Sequence, residues 1–261
     1  MDFVCIGVPF YIGERLPERT EIESLKHSGI AEEIGADWVD IMPKFVAEES
    51  PITAVNRALA EVIQAHPGKT PLVFASCCCS ALGALKGLEA HNPAVLWYDA
   101  HGDFNTLETT RSGFLGGMPV AWLVGRGDGQ YMRGIDLAPL PEEDVVITDA
   151  RDLDPEEEIA LHESQLRHLP ALDDLMTAPL PDRPLYIHMD VDVVDPDDMP
   201  GLGYPAPGGP STATVNRTLE RVVSERRLAG MLFSLWNDSL SDDDRSLQNV
   251  LRMVRTVVRN A

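Results

Sequence analysis

Short apolar segments alternate along the chain with longer segments whose apolar residues have a helical spacing. This alternation is typical of a parallel β-sheet covered by helices on both faces, because parallel strands need long crossover connections. Seven strands are predicted, at Phe3–Val8, Trp38–Ile41, Leu72–Ala75, Ala94–Tyr98, Val145–Thr148, Leu185–Met189 and Ala229–Leu235. Six helices are predicted, at Thr20–Ile34, Ala54–Ala65, Ser80–Ala90, Pro155–His162, Thr212–Ser224 and Ser241–Val258. The sequence therefore predicts an α/β fold of three α/β/α layers with a mostly parallel central sheet.

The chain shows no sign of a second domain. No internal repeat, low-complexity tract or linker divides its 261 residues, and a hydrophobic content of 44% is enough for a sizeable core. We therefore expect a single domain over residues 1–261.

Acidic residues and a histidine follow two of the predicted strands. Asp99, His101 and Asp103 stand at alternate positions, and Asp190 and Asp192 have the same spacing. Side chains at alternate positions of an extended chain point to one face, and the carboxyl ends of parallel strands are the usual ligand site of an open α/β sheet. Helix caps or turns would explain one such pair, but buried like charges in two groups need cations. The pattern predicts a pair of divalent metal ions, and carboxylates with an imidazole favour manganese or a metal of similar hardness.

Charge and composition restrict the partners. A net charge of −21 argues against a nucleic acid or an anionic membrane, which both require a basic surface. There is no run of about 18 apolar residues that would predict a transmembrane helix. The N-terminus begins with a strand-like run and no basic leader, so we expect no signal peptide and a cytoplasmic location. The expected partner is a small molecule.

The segments Trp97–Gly117 and His188–Pro196 resemble the metal-binding motifs of the arginase family, the ureohydrolases that include arginase, agmatinase and formimidoylglutamase. The family pattern is Asp-x-His-x-Asp, followed far downstream by Asp-x-Asp-x-x-Asp-Pro, and this chain has both, including Asp195 and Pro196. The resemblance extends over essentially the whole chain. It implies an arginase-like fold, two divalent metal ions per chain, most simply Mn²⁺, an amino-acid-like substrate and assembly as a homo-oligomer.

The resemblance also implies a role for each donor. Asp99 and Asp190 would bridge the two ions, and one ion would add His101 and Asp192. The other ion would add Cys78 and Asp103. We expect Asp103 and His101 to act as catalytic residues as well as ligands.

Cys78 stands where the family has its first histidine ligand, if the register from Pro71 to Gly83 is kept free of gaps; a shift of one residue would select Cys79 instead. A thiolate is a soft ligand and would favour zinc, iron or cobalt at that site. Alternatively, Cys78 is a small buried residue with a protonated thiol, and that metal site is poor. His188 is predicted to share a strand face with Asp190, either beside a ligand or as a satisfied interior histidine.

Four further residues resemble the family's substrate-binding positions. Asn105, Thr110 and Ser112 stand where arginases hold the α-carboxylate and α-amino groups of the substrate, and Asp154 resembles an aspartate that contacts the α-amino group. They imply a substrate with an α-amino-acid head. The first three are also ordinary turn-forming residues, and without the resemblance they would not stand out.

Two other departures concern the tail of the substrate. Where this chain has Gly116, arginases carry a histidine thought to shuttle protons. Where this chain has Leu235, arginases carry a glutamate that clamps the guanidinium, although the nearby Asn237 is retained. The resemblance therefore implies a hydrolase other than a simple arginase. It would cleave a non-peptide C–N bond in an amidine or a modified guanidine, such as that of Nω-hydroxyarginine, which is less basic than guanidine.

Two other functions are compatible with the sequence. A non-catalytic member of the family, with an altered site that only binds a metal or ligand, would hold one ion or none rather than two. A metal-free hydrolase with Cys78 as the nucleophile would leave the aspartate cluster without a role.

Overall fold

The computed structural model describes residues 1–261, and its centre is a single sheet of eight strands. The strands are β1 (Phe3–Val8), β2 (Asp37–Asp40), β3 (Thr70–Ala75), β4 (Ala94–Asp99), β5 (Val145–Asp149), β6 (Arg167–Leu169), β7 (Leu185–Asp190) and β8 (Leu228–Ser234). Their order is β2-β1-β3-β8-β7-β4-β5-β6, and every neighbouring pair is parallel. The predicted α/β fold is confirmed, with a sheet that is entirely rather than mostly parallel.

Nine α-helices cover the two faces of the sheet. They are α1 (Glu21–His27), α2 (Ile30–Glu33), α3 (Pro51–Gln64), α4 (Ala81–Gly87), α5 (Pro119–Leu123), α6 (Gln130–Gly134), α7 (Pro155–Glu163), α8 (Thr212–Glu225) and α9 (Arg245–Asn260). Helices α3 to α7 contribute to one apolar cluster of 39 buried residues, and α1, α2, α8 and α9 contribute to another of 36 on the opposite face. Because an apolar cluster of similar size covers each face of the sheet, the central strands carry apolar side chains on both faces. None of the helices combines the length and hydropathy that crossing a bilayer requires.

The structure differs from the predicted elements in four places, and the first is that the short helices α5 and α6 were not predicted. The edge strand β6 was not predicted, because its sequence is short and polar and its residues are only half-buried. The predicted helix Thr20–Ile34 is divided into α1 and α2 at Gly29, which has a φ of 76°. The last helix begins at Arg245 rather than Ser241, because the Ser241 hydroxyl accepts the Asp243 N–H in a preceding turn.

The strand order brings the sequence motifs to one edge of the sheet. Strands β3, β8, β7 and β4 are consecutive neighbours. Ser234 at the end of β8 pairs with Ala75 of β3 on one side and with Asp190 of β7 on the other. The segments that follow these four strands therefore meet at their carboxyl ends, where α/β sheets usually bind ligands.

Candidate active site

The first half of the site is built from the ends of β4 and β7. His101 Nδ1 lies 3.3 Å from Asp99 Oδ1 and 3.1 Å from Asp192 Oδ2. Burial opposes a charge on His101, but its contacts with Asp192 and Asp99 prevail and raise the pKa of the imidazole to about 12. One ring nitrogen thus faces two carboxylates, which is the arrangement that a bound divalent cation requires.

The same local contact shapes both motifs. The N–H of His101 donates to Asp99 Oδ1 at 2.8 Å, and the N–H of Asp192 donates to Asp190 Oδ1 at 2.9 Å. Strand β7 ends at Asp190 and a 3₁₀ turn follows over Val191–Val193. Asp192 therefore reaches the site through a turn rather than through the extended continuation that was predicted.

The second half of the site contains Cys78, which follows β3. Its thiol donates to Asp190 Oδ2 at 2.8 Å, and its sulfur lies 3.2 Å from Ser234 Oγ. Burial and the charges of Asp190, Asp103 and Asp99 raise the pKa of this thiol well above its usual range. Donor atoms of Cys78, Asp99, His188 and Asp190 all lie within 4.8 Å of one another, so Asp99 belongs to both halves of the site.

The neighbouring cysteines do not reach the carboxylates. The Cys79 thiol lies 3.7 Å from the Leu115 carbonyl, and the Cys77 sulfur accepts the backbone N–H of Cys79. Of the two registers open from the sequence, the structure has the one that places Cys78 at the site.

Asp103 lies at the edge of the site. It belongs neither to the group of Cys78, Asp99, His188 and Asp190 nor to the group of Asp99, His101 and Asp192. Its φ of 48° is in the left-handed region, which aspartate tolerates better than most residues, and its carbonyl accepts the N–H of Val120 at the start of α5. Its carboxylate lines the cavity, and its buried Oδ2 has no hydrogen-bond partner. Burial and the charges of Asp99 and Asp190 raise the pKa of Asp103 well above its usual range.

The donor set fits divalent cations. Burial raises the pKa of all four aspartates, to about 7 for Asp190 and about 6 for Asp192, which means that the site as it stands resists carrying four negative charges. Buried polar atoms normally have partners, yet Asp103 Oδ2 and His188 Nε2 have none. Two divalent ions would balance the charges and supply the missing partners.

Glu157 supports the site and was not singled out from the sequence. Its buried carboxylate accepts the N–H of Phe104 at 2.8 Å and the N–H of Asp154 at 3.3 Å, joining the loop after β4 to the start of α7. Gly102 leaves room for it, since a Cβ there would lie 2.7 Å from Glu157 Oε1. The capping-box pattern from Asp154 to Glu157 was the signal available in the sequence.

A cavity of about 620 Å³ opens above the donors, and all four residues predicted to bind substrate line it. Asn105 Nδ2 donates to Asp154 Oδ2 at 3.4 Å. The Thr110 and Ser112 hydroxyls lie 3.4 Å apart, and they accept the N–H groups of Gly113 and Phe114. These two residues do form a turn, and because one hydroxyl donates to the other, one hydroxyl hydrogen of the pair is left to donate to a ligand.

The remaining departures from the family pattern, Leu235 and Gly116, lie on the wall of this cavity. Leu235 is buried and lines the cavity, and its N–H donates to the Ala75 carbonyl. At Gly116, an added Cβ would lie 2.3 Å from the Phe114 ring, so that ring fills the space of a side chain at position 116. Phe114 in turn packs on Tyr204 and Tyr11, with ring centroids 4.9 and 6.2 Å away.

Comparisons with known proteins agree with this geometry. A sequence profile of the arginase family matches residues 18–256. The chain is 30% identical to an arginase of Bacillus subtilis over 223 residues, covering 79% of this chain and 75% of that protein. It is 33% identical to an Nω-hydroxy-L-arginine amidinohydrolase of Streptomyces lavendulae over 219 residues, covering 82% of this chain and 76% of that protein.

Solved structures give the same result. The crystal structure of an arginase from Bacillus cereus superposes with a TM-score of 0.86 and 26% identity, covering 99% of this chain and 98% of the other. A formimidoylglutamase of Bacillus subtilis shares the fold, with a TM-score of 0.74 and 15% identity over 100% of this chain and 88% of the other. The match to the family profile extends over most of the chain, and the chain belongs to the arginase family.

Proposed function

We propose that this arginase-family hydrolase acts on a modified guanidine carried by an α-amino acid, of the Nω-hydroxy-L-arginine type. The observation that carries the proposal is Leu235, a buried apolar residue on the cavity wall where the family resemblance places a guanidinium-clamping glutamate. A guanidinium next to this wall would lack its anionic partner, and a buried unpaired charge costs about 3–5 kcal/mol. A hydroxyguanidine is less basic and can bind uncharged.

The polar end of the cavity supports an amino-acid head. The carboxylate of Asp154, joined to Asn105, offers an anionic partner for an α-ammonium group. The paired hydroxyls of Thr110 and Ser112 line the cavity and offer a hydrogen that suits an α-carboxylate. The name of the Streptomyces lavendulae relative is consistent with such a substrate.

The aspartates, His101 and Cys78 would hold two divalent ions, and manganese suits the half that contains His101 and Asp192. When bound, such ions act as Lewis acids that make water nucleophilic near neutral pH and polarise the carbon under attack. The protein supplies their placement, because hydrogen bonds from the backbone fix Asp99 and Asp190 at the ends of two adjacent strands.

Asp103 is suited to carry the proton. In the reaction the water oxygen bonds to the guanidine carbon, the bond from that carbon to the side-chain nitrogen of the amino acid breaks, and that nitrogen gains a proton. Asp103 Oδ2 is buried, has no hydrogen-bond partner and belongs to a residue that lines the cavity, so it is placed to take the proton of water and pass it on. The products from Nω-hydroxy-L-arginine are hydroxyurea and L-ornithine.

Cytoplasmic location and assembly as a homo-oligomer remain predictions from the sequence and the family resemblance. They do not affect the assignment of the cavity, since every residue invoked belongs to a single chain.

The test is a comparison of kcat/KM for Nω-hydroxy-L-arginine and L-arginine on protein whose metal content has been measured. We expect two ions per chain and a preference for the hydroxylated substrate of about 100-fold, since 1.4 kcal/mol corresponds to a factor of ten. Equal or better turnover of L-arginine would contradict the proposed substrate. A protein that holds one ion or none and hydrolyses neither these nor formimino amino acids would favour a non-catalytic binding role.

A further inference from the structure

His188 is a buried histidine that the mechanism above does not use. It lies in β7 and is fully buried, and its ring stacks on that of Trp97 with a centroid distance of 3.5 Å. The family resemblance gives it no role as a ligand. A ring nitrogen of His188 nevertheless lies within 4.8 Å of donor atoms of Cys78, Asp99 and Asp190.

His188 is not a satisfied interior histidine. An imidazole has two nitrogens that need partners when they are buried. Nδ1 lies 3.5 Å from the Tyr186 hydroxyl, but Nε2 has no partner at all. The buried imidazole thus has one nitrogen without a partner and lies beside two carboxylates and a thiol, which points to metal binding rather than to packing alone.

We propose that His188 is a direct ligand of the metal ion held by Cys78, Asp99 and Asp190, and that this ion is zinc or a similarly thiophilic metal rather than manganese. The inference rests on the proposed function in that this ion is one of the two metals of the hydrolase. The imidazole that the family supplies at the position of Cys78 enters instead from β7, which is separated from β3 by β8. The site then offers sulfur, nitrogen and oxygen donors, a set that zinc, cobalt and iron accept better than manganese does.

Neighbouring residues hold His188 in a suitable orientation. The Tyr186 hydroxyl is placed to accept from Nδ1–H, which leaves the Nε2 lone pair for the metal. The Trp97 ring fixes the plane of the imidazole, and its Nε1 donates to Asp99 Oδ2 at 3.1 Å. Trp97 therefore orients two donors of the same site.

Zinc is the probe that distinguishes this site. Full-length protein stripped of metal is given one equivalent of zinc, and the zinc environment is measured by X-ray absorption fine structure. We expect one sulfur and at least one imidazole around the metal. In His188→Gln the sulfur should remain while the imidazole signal is lost. Zinc affinity should fall about 100-fold, because removing even a residue that only hydrogen-bonds to a ligand typically lowers metal affinity about 10–100-fold.

His168→Gln is the matched control, because His168 is a half-buried histidine of the edge strand β6 bonded to the Asp149 carbonyl, away from the site. It should bind zinc as the unmodified protein does. Retention of one manganese ion by His188→Gln would show that the variant is folded and that the His101 half is intact.

The outcomes separate the two proposals. A zinc ion with sulfur but no imidazole, or an unchanged zinc affinity in His188→Gln, would overturn the role of His188 and leave the hydrolase proposal standing. Zinc without a sulfur ligand would overturn the assignment of this metal to the Cys78 half. A protein that binds no divalent ion would overturn the proposed function itself.

Discussion

The two halves of the site differ in how closely they follow the family pattern. The His101 half, at the ends of β4 and β7, has all the residues that the pattern requires, Asp99, His101 and Asp192 among them. The Cys78 half, at the ends of β3 and β8, replaces a histidine by Cys78 and a glutamate by Leu235. The family's residue pattern is therefore complete in one half and altered in the other.

The altered positions adjoin one another. Strands β3 and β8 are paired, and the Leu235 N–H donates to the Ala75 carbonyl just before the cysteines. The Cys79 thiol contacts the Leu115 carbonyl next to Gly116, the third departure. Three changes that are far apart in sequence thus lie on the wall of one cavity.

Replacing Asp99 should have the largest effect, because Asp99 is the one residue shared by both donor groups. Asp99→Asn should lose both metal ions, reduce hydrolysis below detection and lower thermal stability, since ligand binding contributes about 4 kcal/mol at 1,000 times Kd. Elemental analysis measures the metal content. Asp152→Asn is the control, since Asp152 is an exposed cavity carboxylate outside both groups. Two ions retained in Asp99→Asn would contradict the shared-ligand arrangement.

Replacing Cys78 should affect one half of the site alone. Cys78→His should raise manganese affinity in that half while the other ion is unchanged, because imidazole suits manganese better than a thiol does. Manganese titration of metal-free protein measures both sites. Cys79→His is the control, because the Cys79 thiol faces a backbone carbonyl rather than the carboxylates. A larger increase in Cys79→His than in Cys78→His would show that the register is shifted by one residue.

Restoring a histidine at Gly116 should destabilise the protein. A Cβ there would lie 2.3 Å from the Phe114 ring, and overpacking typically costs about 1–3 kcal/mol. Urea unfolding of Gly116→His, Phe114→Ala and the double variant measures the coupling. We expect Gly116→His to cost less free energy of unfolding in the Phe114→Ala background. Equal costs in both backgrounds would show that the ring does not occupy that space.

The smallest effect is expected at Glu157, which supports the loop that carries Asp103. Glu157→Gln weakens two hydrogen bonds to backbone N–H groups and should lower the free energy of unfolding by about 1–2 kcal/mol. The exposed neighbour Glu156, replaced in the same way, should change stability by less than about 0.5 kcal/mol. Similar losses in both variants would argue against a specific support by Glu157.

The fold and the His101 half were predictable because their signals are local. Buried parallel strands are continuous apolar runs, and metal-binding carboxylates follow two of them directly. The edge strand β6 lacked this signal, because it has only three half-buried residues and two of them are polar. The division between α1 and α2 depends on the positive φ of Gly29, which the helical spacing around it conceals.

The Cys78 half was less predictable because it depends on contacts between distant segments. The sequence left Cys78 and Cys79 as alternatives, and only the turn after β3 directs one thiol to Asp190. The sequence placed a glycine at position 116 but gave no sign that Phe114 fills the space beside it. The proximity of His188 to Cys78 likewise follows from the pairing of β7 with β8 and of β8 with β3.

The claim that the altered wall selects a weakly basic tail is tested most directly at Leu235. Leu235→Glu places a carboxylate on that wall, and Leu202→Glu is the control, since Leu202 also lines the cavity. The measurement is the ratio of kcat/KM for Nω-hydroxy-L-arginine to that for L-arginine in each protein. We predict that Leu235→Glu lowers this ratio by a factor of about 10 or more, equivalent to about 1.4 kcal/mol, while Leu202→Glu leaves it unchanged. An unchanged ratio in Leu235→Glu, or the same shift in both variants, would contradict the account.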